Sequence, residues 1–271
     1  MNRNEFINEL KKKLRKLPYV ESFWTLEDGV LNITHDTGTR FQILNFDFIS
    51  RDRNYVIVHL PANAELEAVN VKSSSGNIKL GDFAVRNFEI ACSFGNVDLS
   101  NITGEHIQVE QRSGRFNGIN IGTKSLTFKN SFGDGNFQEI FAVSLDVESN
   151  SGNLNFTNCM FGDAIIVNNF GRITATEFVS TYTNIRANSG DININGFIAG
   201  ETTIHAEFGS IKLATSLSKN YYSYDISVKF GNISFDGERL KDQSRIASNS
   251  MLVNHLMLTS SSGNIEVTFG E

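Results

Sequence analysis

From Val69 onward, apolar and polar residues alternate, and a glycine interrupts the alternation at a fixed interval. Gly76, Gly95, Gly114, Gly133, Gly152, Gly171, Gly190 and Gly209 stand 19 residues apart, and looser copies follow at Gly231 and Gly263. Five places before successive glycines stand Val71, Ile90, Val109, Phe128, Val147, Ile166, Ile185, Ile204, Ile226 and Leu258. Two places after them come Ile78, Val97, Phe116, Leu154, Ile173, Ile192, Ile211, Ile233 and Ile265. Seven places after them come Phe83, Ile102, Ile121, Ile140, Cys159, Phe178 and Phe197. A period of two on either side of a glycine predicts two strands, each with one buried face. Each repeat therefore reads as strand, corner, strand, second corner. Identical offsets in successive repeats stack into parallel ladders. The predicted fold is all-β, a right-handed parallel β-solenoid (β-helix) with 19-residue coils. Its hand is taken from the usual sense of parallel crossovers.

The corner residues refine this picture. Glycine adopts positive φ without a Cβ penalty, and the Asn or Asp that often follows it (Asn77, Asn96, Asp134, Asn153, Asp191) tolerates that region better than most residues. The residue before the glycine alternates as Ser75, Phe94, Ser113, Phe132, Ser151, Phe170, Ser189 and Phe208. By parity these side chains share the inward phase, so the alternation predicts rings packed in the core, each using the space above a serine. On that reading Phe132→Ala opens a cavity costing about 3–5 kcal/mol. On the outward face, Glu110, Lys129 and Glu148 alternate in sign, as neighbouring strands prefer. Asn117, Asn136, Asn155 and Asn193 share another outward offset. They read either as a solvated amide ladder or as a surface for a ligand or partner.

The ends depart from the repeat. Residues 1–18 predict a short amphipathic N-terminal helix, with Phe6, Leu10, Leu14 and Leu17 on one face and Pro18 after it. Lys11, Lys12, Lys13, Arg15 and Lys16 make its second half basic, which suits an end cap, a partner-docking segment or peripheral contact with an anionic membrane. Residues 19–62 read as an irregular β lead-in or cap, with Val30–Thr34 and Phe41–Leu44 flanking a hairpin turn at His35–Gly38. Residues 63–271 form the repeat domain. Two late insertions lie near Ser216–Tyr222 and Gly237–Ser250, and the second, polar one is the foremost candidate for a functional loop.

Composition narrows the function. A net charge of −6 argues against nucleic acid as a partner, because phosphate binding needs a basic face. No apolar run approaches the roughly 20 residues of a membrane-spanning helix, and no secretory signal opens the chain. The expected location is the cytoplasm, with membrane association or the cell surface as the alternative. Cys92 and Cys159 sit three repeats apart, too far for a disulfide, and read as buried thiols. His35, His59, His106, His205 and His255 are scattered, and no metal-ligand, cofactor or nucleophile motif occurs. Catalytic, metal and cofactor sites are therefore not expected.

The stretch from Val56 to Ile78, VIVHLPANAELEAVNVKSSSGNI, with its V-x-LP strand and the repeated S-G-[DN]-[IV] and F-G-[DN]-[IV] turns, resembles a bacterial β-solenoid family of unknown function that carries an adhesin label. The resemblance covers about residues 40–271. It implies surface binding of a protein or glycan and transfers no catalytic residue. The expected function is a non-enzymatic binding or scaffold protein. A self-assembling, filament-like protein is the alternative, and a β-helix enzyme acting on polysaccharide is third.

Overall fold

The computed structural model describes residues 22–27, 30–35, 65–240, 243–248 and 252–271. The chain divides into two units, residues 1–61 and 62–271. In the first, β1 (Ser22–Glu27) pairs antiparallel with β2 (Val30–His35), Glu27 opposite Val30. The N-terminal helix, residues 36–38 of the turn read at His35–Gly38 and the strand read at Phe41–Leu44 lie outside the described residues.

The second unit is a parallel β-solenoid. Among the described residues, β3 (Glu65–Ser73) starts the stack. Seven strands of 17 residues follow: β4 (Ile78–Phe94), β5 (Val97–Ser113), β6 (Phe116–Phe132), β7 (Gly135–Ser151), β8 (Leu154–Phe170), β9 (Ile173–Ser189) and β10 (Ile192–Phe208). Each pairs in parallel with the next at an offset of one repeat, for example Ile107 with Leu126 and Val147 with Ile166. The ladder positions identified in the sequence form the core: Val97, Val109, Phe116, Ile121, Phe128, Ile140, Val147, Ile166, Ile185 and Ile204 are at most 0% exposed. Phe137 and Phe156 stack across adjacent coils with centroids 4.7 Å apart.

The repeat glycines all have positive φ, from +119° at Gly76 to +157° at Gly209. Close approach adds a second constraint. A Cβ at Gly95, Gly133, Gly152 or Gly209 would overlap the carbonyl oxygen of the glycine one coil earlier, whereas one at Gly76, on the first described coil, meets nothing within 4 Å. The Asn and Asp residues after the glycine have a different role from the one expected. They are absent from the positive-φ residues, and their side chains accept the backbone N–H of the same position one coil on: Asn77 from Asn96 at 2.9 Å, Asn96 from Arg115 at 2.9 Å, Asp134 from Asn153 at 2.8 Å. The left-handed residues belong to the second corner, six places after the glycine: Asp82, Asn101, Asn120, Glu139, Asn158 and Glu177.

The predicted burial of the Ser/Phe column is overturned. Phe94, Phe132, Phe170 and Phe208 are 53–59% exposed. The strand bends before the glycine, so strict alternation ends two residues earlier. Three places before the glycine is the last inward position, and there Gln111, Asn130, Ser149 and Asn168 are buried. Polar groups are suited to this spot because the corner carbonyls turn inward: Gln111 Nε2 donates to Gly95 O at 2.7 Å and Asn168 Nδ2 to Gly152 O at 3.0 Å. Phe132→Ala therefore opens no cavity. Phe197 also leaves its predicted inward slot. A register shift after Asn195 sets Gly196 opposite Phe178, so Phe197 is 41% exposed and Ile198 is buried in its place.

The C-terminal part is stacked out of chain order. β11 (Ile211–Ser218) pairs with the first half of β10. After the 3₁₀ turn Lys219–Tyr221 come β12 (Tyr222–Phe230), β13 (Ile233–Phe235), β14 (Glu238–Leu240), β15 (Arg245–Ala247), β16 (Asn254–Ser262) and β17 (Ile265–Gly270). β16 lies between β10 and β12, and β17 lies between β11 and β13. The spatial order of corners is thus Gly209, Gly263, Gly231, with the last in sequence next to last in space. The polar insertion supplies antiparallel strands at this end: β14 covers β13 and β15 covers β12.

Candidate functional site

The outward columns beside the corner form an open groove of about 580 Å3 across the coils of β4 to β8. One wall carries the residues four places before the glycine, Glu110, Lys129 and Glu148, and the other carries Arg112, Ser131, Asn150 and Asn169. Strand alternation places both walls outward, while the buried polar column lies beneath. Lys129 Nζ reaches Glu148 Oε2 at 3.2 Å, and this hydrogen bond holds the ammonium pKa above its ordinary value. Acids and bases alternate here, so the groove has no strong field of either sign.

A glycosidase-type site needs two carboxyl groups about 5–9.5 Å apart, one kept protonated. Glu110 and Glu148 are two coils apart with Lys129 between them, an arrangement that balances charge. Among the described residues no group of three or more His, Cys, Asp or Glu could hold a metal ion. Cys92 and Cys159 are buried and free, and burial pushes the Cys159 thiol up to about 11 and the Cys92 thiol upward, which suppresses the reactive thiolate. No helix among the described residues is long and apolar enough to cross a membrane.

The sequence-predicted asparagines divide between two places. Asn117, Asn136 and Asn155 are consecutive in register, and Asn155 Nδ2 donates to Asn136 Oδ1 at 2.9 Å. Thr174 follows Asn155 in the column, so Asn193 is set apart. Asn193 lines a second groove of about 480 Å3 with Arg172, Asp191, Lys212 and Glu266. Its charges are paired across coils: Lys212 Nζ lies 2.9 Å from Glu266 Oε1 and Arg172 Nη2 lies 3.8 Å from Asp191 Oδ2. Lys11, Lys12, Lys13, Arg15 and Lys16 lie outside the described residues.

Sequence reasoning missed the exposed phenylalanine row, and left open whether the second insertion, which supplies β14 and β15, or another chain caps this end. The first had no local signal, because the bend that turns the rings outward leaves no mark on parity. The second had one. Asp236-Gly237 is a two-residue hairpin dipeptide, and both residues adopt the positive φ that such a turn requires, +55° and +81°.

A family profile described as Toastrack DUF4097 matches residues 8–119 and again residues 113–268. No curated protein and no solved structure matches the chain.

Proposed function

The chain belongs to the Toastrack DUF4097 family, and from that premise we propose that it is a non-enzymatic scaffold whose side surface binds an extended, uncharged polar chain such as a glycan. One observation carries the reading: the groove along β4 to β8 repeats serine and amide side chains at coil spacing beside balanced charges. A linear polymer meets equivalent donors and acceptors at steps of about 4.8 Å there. The covering of β12 and β13 by β15 and β14 weighs against end-to-end polymerisation through that end, because an edge already paired offers no free ladder groups. The test is binding of the full chain to an array of linear glycans, with an Arg112→Ala, Asn150→Ala, Asn169→Ala variant beside it. Retention of the wild type and at least a tenfold loss in the variant is the expected outcome. A wild type that binds no glycan, or a variant that binds equally well, refutes the groove as the site.

A further inference from the structure

Phe94, Phe132, Phe170, Phe208 and Phe230 share one offset and are each 53–66% exposed. They form a row of rings about 9.6 Å apart, two coil spacings, along one ridge. Chain order reads Phe208, Phe230, Ser262, which would set two phenylalanines together. The stack instead sets Ser262 opposite both Phe208 and Phe230. Spatial order is therefore Ser75, Phe94, Ser113, Phe132, Ser151, Phe170, Ser189, Phe208, Ser262, Phe230, a strict alternation over ten levels. The alternation belongs to the surface and persists where the sequence repeat does not.

We propose that this ridge is the interface between two copies of the chain paired antiparallel about a two-fold axis. An even number of levels, beginning with serine and ending with phenylalanine, is self-complementary on reversal. The axis places Phe94 on the partner level of Ser262, Phe132 on Ser189, Phe170 on Ser151, Phe208 on Ser113 and Phe230 on Ser75. Every ring then fills the gap over a serine. A parallel pairing in register sets ring against ring.

Flanking charges agree. The antiparallel axis keeps the two flanks on their own sides, so Arg112, next to Ser113, faces Glu207, next to Phe208, and the contact occurs twice by symmetry. On the other flank Asp134 faces Asp191, whose charge is offset by Arg172 at 3.8 Å. A phenylalanine presents about 200 Å2. Five half-exposed rings and their seats amount to about 1,000 Å2 in total, the size at which specific interfaces begin. This proposal stands apart from the groove reading and uses none of its side chains except Arg112.

The experiment is light scattering after gel filtration of the full chain at about 100 µM, above the micromolar constants such areas support. The wild type elutes as a dimer and Phe132→Ser/Phe170→Ser as a monomer. The melting temperatures agree within about 2 °C, since the substitutions are on the surface. Arg112→Glu weakens the dimer and Arg112→Glu/Glu207→Arg restores it. A monomeric wild type, or a dimer indifferent to the phenylalanine changes, overturns the proposal. A dimer that needs the rings but ignores the charge exchange overturns the antiparallel register. A monomer that instead sediments with phosphatidylcholine vesicles through Phe132 and Phe170 assigns the ridge to a membrane and overturns it as well.

Discussion

Gly152 is held by two independent demands, its φ of +137° and the carbonyl of Gly133, which a Cβ at this position would overlap. Gly76 answers only the first, because a Cβ there meets nothing within 4 Å. Gly152→Ala should thus cost backbone strain plus steric displacement, on the order of 3 kcal/mol or more, and Gly76→Ala only about 1–2 kcal/mol. Paired thermal or urea melts read the difference, and equal losses would show that conformation alone selects glycine here. The same scale explains which residues could be read in advance. Val109, Phe128 and Ile166 sit in mid-strand, where parity equals burial. Phe132 sits past the bend, where parity fails, and Asn130, polar yet buried, is explained only by the inward carbonyl of Gly133, to which it donates.

Among the elements, β15 is lightly held, with three ladder pairs to β12. Arg245 secures it by two hydrogen bonds to Asp225, at 2.9 and 2.7 Å. That bonding holds the Asp225 carboxyl below its ordinary value. A depressed carboxylate contributes stability above its unfolded value, near 3.9, and loses it as the pH falls through the lower folded value. The protection of residues 245–247 against amide exchange, taken relative to the intrinsic rate at each pH, should therefore hold from neutral pH to about 4 and fall only below that. Asp225→Asn should lower that protection at neutral pH without altering β5 to β9. Unchanged exchange in that variant would mean that the backbone pairing alone secures the strand. The central strands were legible in the sequence because seven equal intervals leave one register. β12 to β17 were not, because intervals of 22 and 32 residues give spacing without spatial order. One clue was present: Phe208 and Phe230 are successive in sequence, and keeping the alternation requires Ser262 between them.

For the repeat unit as a whole, the seat between β10 and β12 is filled by β16 and that between β11 and β13 by β17. β12 has no ladder to β10, and β13 has none to β11. A chain ending at Ser248 should keep a protease-resistant body through β10 and lose residues 219–248 to limited digestion, as mass spectrometry of the fragments would reveal. Resistance through residue 248 would mean that β12 docks directly on β10, with Phe230 beside Phe208. The order of stacking also constrains biosynthesis. β12 and β13 leave the ribosome before residues 254–270, yet, apart from Tyr222, which bonds Thr215 and the Ile198 carbonyl, they gain their parallel ladders only when those later residues arrive. Winding can keep pace with translation as far as Ser218, the end of β11, and the last coils must then wait and close together around a strand that enters from the side, as a keystone is set after the stones that flank it.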